Sequence, residues 1–145
     1  MGTIVSMDKS TTPINPGGRW APLQNLTLCA RAVERSLNRS PNLPGIVVFT
    51  GPSGWGKSMA ASYCANKFEG VHVEVRKHFT CKAFLLVMLK EMGIRPGRNI
   101  SELMDQVAEQ LDLSQRPLIL DEADRLIERN LIEHVRDLHE MSRTT

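Results

Sequence analysis

Apolar and polar residues alternate along this chain with two periods, and the switches between them mark out the elements. From Asn25 to Asn38, Leu26, Cys29 or Ala30, Val33 and Leu37 share one helical face, while Arg31, Arg35 and Arg39 recur every four residues on the other. Gly45-Ile46-Val47-Val48-Phe49-Thr50 is a β-branched apolar run of the buried-strand type, and the helix-compatible stretch Lys57 to Lys67 follows it. Val71-His72-Val73-Glu74-Val75 alternates at period two and predicts a second strand, half-buried or at an edge. Thr80 is placed to N-cap a helix from Cys81 to Met92, closed by Gly93; Phe84, Leu85, Met88, Leu89 and Met92 make it a core helix, with the methionines as packing. Arg95 to Asn99 reads as a turn. Ser101 is then expected to cap a helix carrying Leu103, Val107 and Leu111 on one face. Pro117 to Leu120 is the third strand, and Asn130 to Met141 the last amphipathic helix, through Leu131, Val135 and Leu138.

The first 22 residues break this order. Ser, Thr, Pro, Asn and Gly dominate Met1 to Pro22, which predicts a flexible arm ahead of one domain spanning residues 23–145. Composition narrows the setting without deciding the function. With 145 residues, 41% of them hydrophobic, the chain holds one domain with a modest core. A net charge of +2 permits a nucleic-acid partner without requiring one. Cys29, Cys64 and Cys81 are odd in number and lack C-x-x-C spacing, as expected of reduced thiols in a cytosol. His72, His78, His134 and His139 have no ligand spacing on a common helical face and are expected to be solvated surface residues. No stretch approaches the ~20 apolar residues of a membrane span, and no secretory pattern opens the chain. Met1 to Ser6 matches the short myristoylation pattern, a cheap match; the expectation remains a soluble, cytoplasmic protein without a membrane partner.

Chemistry enters at the turn after the first strand. Gly51-Pro52-Ser53-Gly54-Trp55-Gly56-Lys57-Ser58 is a complete G-x-x-x-x-G-K-[ST] loop, and it lies between a strand and a helix as phosphate binding requires. The glycines let backbone N–H groups face inward, and the next helix aims its positive end at the same point. Lys57 supplies a cation for the β and γ phosphates and Ser58 a hydroxyl for Mg²⁺. Trp55, at a free position, reads as a surface or packing residue. The strand Pro117 to Leu120 ends on Asp121 and Glu122 at its carboxyl end, where open α/β sheets bind ligands. Asp121 is expected to hold the Mg²⁺, through its water shell, and Glu122 to polarise the attacking water. The plainer alternative has Glu122 merely starting the next helix; Asp124 is expected, separately, to serve as an N-cap. Arg76, Lys77, His78 and Lys82 gather between the second strand and its helix as candidate phosphate contacts, with a solvated turn as the alternative. The Arg31, Arg35, Arg39 stripe is a second candidate surface.

The order helix, GPSGWGKS, strand Val71 to Val75, two helices, LILDEAD and helix resembles the first half of the AAA+ ATPases, over roughly Leu23 to Thr145. Within them it is most similar to the B-type target-selection ATPases of transposable bacteriophages and related transposon regulators. The resemblance implies an α/β P-loop NTPase fold, with a parallel sheet flanked by helices and Gly51 to Ser58 as the ATP loop. It makes Asp121 the magnesium-linked acid and Glu122 the catalytic glutamate. It further implies assembly into rings or filaments on double-stranded DNA, and delivery of that DNA to a transposase whose contact stimulates hydrolysis. Two other readings share the motifs: a replication loader or initiator ATPase, and a non-catalytic adaptor switched by nucleotide. The family pattern continues past the last helix with a fourth strand, a sensor residue, an arginine finger, a fifth strand and a helical lid. This sequence does not carry them, so a C-terminally truncated domain is expected. A fourth strand inserted between the loop strand and the acidic strand implies that its loss leaves unpaired edges on both.

Overall fold

The β-branched run ahead of the glycine loop forms a strand at Val47–Thr50 (β2), and its parallel partner is Thr3–Ser6 (β1). The register runs from Thr3 opposite Val47 to Ser6 opposite Thr50. This computed structural model describes residues 3–6, 23–40, 42–43 and 45–142; the rest of the expected arm lies outside them. β1 therefore sits inside the stretch expected to be flexible. Three of its four residues are β-branched, and a pairing strand supplies the hydrogen bonds that a solitary four-residue segment lacks. β2 thus has one paired side, supplied by a segment that the sequence pattern did not mark as a strand.

Leu23–Leu37 is the first helix (α1); Asn25, Cys29, Ala30, Ala32 and Val33 are buried, whereas Leu37, expected on the same face, is exposed at the helix end. Arg31 and Arg35 are exposed as the stripe predicts. Arg39 leaves the stripe: its Nη1 donates to Ser36 O (2.7 Å) and its Nε to Leu43 O (3.0 Å), which ties off the helix end. Lys57–Lys67 (α2) buries Ala60, Ala61, Cys64 and Ala65, and α1 packs against it through small side chains on both helices. These elements belong to one compact unit, Met1–Lys67; Phe68–Thr145 forms a second.

In the second unit, Val71–Glu74 (β3) and Leu118–Asp121 (β4) pair in parallel, from Val71 opposite Leu118 to Glu74 opposite Asp121. The bond Val75 N–H to Asp121 O (2.9 Å) carries the ladder one residue further. The period-two pattern sends Val71, Val73 and Val75 into the core. His72 takes the other face, and it is half-buried, with Nε2 shielded from water and lacking a hydrogen-bond partner among the described residues; a solvated histidine was expected. The helix Cys81–Glu91 (α3) fills the centre with Phe84, Leu85, Met88 and Leu89, none exposed, each worth about 2 kcal/mol by burial alone. Ile100–Ser114 (α4) adds Leu103, Val107 and Ala108 to the same core.

Helix ends follow the sequence with three corrections. Thr80 Oγ1 accepts from Ala83 N–H (3.2 Å) and Gly93 turns left-handed at φ 72°, as expected. The α4 cap is Asn99 rather than Ser101: Asn99 Oδ1 accepts from Glu102 N–H (2.9 Å), and Glu102 reaches back to Asn99 Nδ2 (2.9 Å) and to Arg98 N–H (2.7 Å). This reciprocal pairing satisfies more of the free first-turn groups than a serine two residues later could. Asp124 does not cap. It is the first residue of Asp124–Glu128 (α5), preceded by Ala123, which makes no side-chain cap bond. The expected last helix starts two residues late: Asn130 adopts φ 54°, and the helix runs over Ile132–Met141 (α6).

Candidate nucleotide site and acidic strand end

The glycine loop leaves β2 and enters α2, both inside the first unit. Gly54 and Gly56 hold φ of 79° and 80°, a region that side chains resist. At Gly54 a Cβ would meet nothing within 4 Å, so the backbone angle, and not space, demands glycine there. Gly51 has no positive φ, so the same argument does not extend to it. The first helical bond, Ala60 N–H to Gly56 O (2.8 Å), leaves the N–H groups ahead of it pointing out of the helix end. No acidic residue occupies the first turn of α2, so nothing negative competes with an anion for its positive end. Lys57 folds across the loop, its Nζ donating to Gly51 O (2.7 Å) and Pro52 O (2.8 Å). An ammonium has three donors, so one remains, and the charge already stands at the mouth of the cradle. Pro52, Ser53 and Ser58 are exposed, and Trp55 is half-buried. These donors fit a nucleotide triphosphate: the loop amides and Lys57 would hold the phosphates, and the Ser58 hydroxyl the magnesium ion.

Asp121 and Glu122 belong to the second unit. Asp121 closes β4, and its Oδ1 accepts from Glu122 N–H (2.9 Å). Glu122 is not a helix-starting residue. It stands between β4 and α5 at φ 58°, left-handed and non-glycine, a conformation that costs on the order of 1–2 kcal/mol and collects at functional positions. Its carboxylate is 42% exposed and faces Arg125 at 3.4 Å. Sequence reading did not single out Arg125, whose bond to Val75 O links residues fifty positions apart in the chain.

The cations after β3 are where the sequence puts them: Arg76, Lys77 and His78 lie exposed on a turn, and Lys82 lies exposed in the first turn of α3. The fold brings a second loop to them, because Lys82 Nζ donates to Arg98 O (3.3 Å). Arg95 and Arg98 are exposed on that loop. The proximity of the two loops arises from the packing of α3 on α4 and has no local signal.

Burial pushes the Cys29 thiol up to about 12, with Cys64 adding to the effect, and it also raises Cys64 and Cys81. All three are free thiols. Among the described residues no group of His, Cys, Asp and Glu is arranged to hold a metal by itself, and no helix is long and apolar enough to cross a membrane.

Parallel strands flanked by helices, with a glycine loop that runs from a strand into a helix N-terminus, define a P-loop nucleotide-binding protein of the α/β class. The family model described as "AAA domain" matches residues 39–145, and the chain belongs to that family. No curated protein and no solved structure matches it. Membership makes this an AAA-type ATPase domain, a class that binds ATP with Mg²⁺ and hydrolyses it; it reaches the AAA class and not the transposition branch.

Proposed function

We propose that this protein binds Mg²⁺-ATP at Gly51 to Ser58, hydrolyses it, and uses the nucleotide cycle to assemble on double-stranded DNA and present that DNA to a transposase. The observation that carries the reading is the loop itself: two left-handed glycines, an acid-free helix start and Lys57 across the mouth. In this reading Asp121 is the magnesium-linked acid and Glu122 the carboxylate that polarises water. The left-handed φ of Glu122 supports a working role over a helix-starting one. For the DNA step the support is the set of exposed cations Arg76, Lys77 and Lys82, enlarged by Arg95 and Arg98. Phosphate contacts carry affinity without sequence information, which suits an ATPase that accepts many targets.

The test is duplex binding with and without Mg²⁺-ATP, across a salt series, for the wild type and the Arg76→Ala/Lys77→Ala variant. Binding is expected to need nucleotide, to be alike on unrelated duplexes, and to lose up to about two phosphate contacts from its salt slope in the variant. An unchanged slope and affinity would move the DNA surface elsewhere, with Arg31 and Arg35 next in line. ATP turnover stimulated by a replicative helicase and indifferent to a transposase would favour the loader reading.

A further inference from the structure

Polar groups from two strand ends converge on one side chain in the second unit. Arg125 Nη1 donates to Val75 O at 2.8 Å and lies 3.9 Å from Glu74 Oε1, while Nη2 lies 3.4 Å from Glu122 Oε2. The arginine side chain is 23% exposed, against 42% for Glu122 and 60% for Glu74. Two features separate this arrangement from an ordinary surface ion pair, which holds two long side chains loosely and contributes little. The guanidinium is anchored to a backbone carbonyl at the end of a buried strand. That anchor residue, Val75, is fully buried and is fixed in turn by its N–H bond to Asp121 O (2.9 Å). The planar fork then presents its second nitrogen in a set direction.

The second feature is the partner. Glu122 is held at φ 58° by bonds on both sides: its N–H donates to Asp121 Oδ1 (2.9 Å) and its carbonyl accepts from Arg125 N–H (3.0 Å). With the backbone fixed, the remaining freedom of Glu122 lies in its side chain. Arg125 engages Oε2, and Oε1 has no hydrogen-bond partner among the described residues, which leaves it for a water. We propose that Arg125 is the positioning residue for Glu122, aiming the carboxylate from a fixed point on β3. The inference rests on the reading of Glu122 as the water-polarising base.

Steady-state ATP turnover of the full chain tests it, using Arg125→Gln and Arg125→Lys, each in the wild-type and the Glu122→Gln background. Arg125→Gln is expected to lower kcat about tenfold with KM for ATP within about twofold, because the loss falls on an aim needed in the transition state and not on nucleotide binding. Arg125→Lys keeps the charge without the fork and is expected to recover part of the rate. In the Glu122→Gln background neither substitution is expected to change the residual rate by more than about twofold, since coupled residues do not add. An unchanged kcat in Arg125→Gln, or an equal loss in both backgrounds, would overturn the proposal and leave Arg125 a staple between α5 and β3. If Arg125→Gln does not fold, Arg125→Lys carries the same comparison. If the wild type does not turn over ATP, the functional reading fails on its own. Hydrogen exchange then decides the positioning: amides from Glu122 to Leu126 must exchange faster in Arg125→Lys, and unaltered exchange rejects the restraint.

Discussion

Lys57 closes its own loop, with two carbonyls as acceptors at 2.7 and 2.8 Å and the charge waiting for phosphate. Lys57→Ala removes the cation from the cradle while leaving the backbone donors, so ATP affinity by titration calorimetry is expected to fall at least about 100-fold, given the strength of charge-assisted bonds. Unchanged affinity would reject the loop as the nucleotide site. Glu122 joins strain to chemistry, and two substitutions separate them. Glu122→Gln keeps the shape and loses the base, so ATP binding persists while turnover drops by about 10²–10⁴. Glu122→Gly relieves the left-handed angle, and its thermal midpoint is expected to stay level or rise slightly even as hydrolysis is lost. A clear fall in midpoint with Glu122→Gly would show that the residue serves the fold.

At the scale of elements, the start of α4 is closed by reciprocal side-chain bonds. Glu102 accepts from Asn99 Nδ2 and from Arg98 N–H while Asn99 accepts from Glu102 N–H. Asn99→Ala is expected to cost about 1 kcal/mol in chemical denaturation, and Ser101→Ala close to nothing. Equal costs would restore Ser101 as the cap. The reason Ser101 misleads a reader is instructive: serine is a good cap by type, but the choice between two candidates is made by which one has a glutamate three residues on. The late start of α6 is similar. Apolar spacing at Leu131, Val135 and Leu138 marks the helix, and its buried face is right, but the left-handed residue ahead of it moves the start to Ile132.

At the scale of the molecule, each unit has its own core, and that of the first is built of small residues around Cys29 and Cys64. Burial raises the Cys29 thiol from 9.0 to about 12, so the folded state holds that proton more tightly than the unfolded chain. The associated stability is complete below pH 9 and is lost as pH rises toward 12. A thiol reagent at about pH 8 is expected to label Cys81 first, and Cys29 and Cys64 only after denaturation, since only accessible thiolates react; fast labelling of Cys29 in the native protein would contradict the packing of α1 on α2. The sequence by itself determined what neighbouring residues decide together: the glycine loop between strand and helix, the buried faces of α3 and α4 and the middle of that of α1, the alternation of β3, and the acids closing β4. These signals are local because helical and strand periods, turn angles and the G-x-x-x-x-G-K-[ST] spacing all act within a few residues. Tertiary structure decided the rest. Thr3–Ser6 is a strand because β2, more than forty positions away, offers it a ladder. Packing shields Nε2 of the half-buried His72 from water, and Arg125 faces Glu122 while Val75 O holds its other arm. Hydrogen bonds between distant residues leave no mark on local propensity, so only the folded chain shows which polar groups meet.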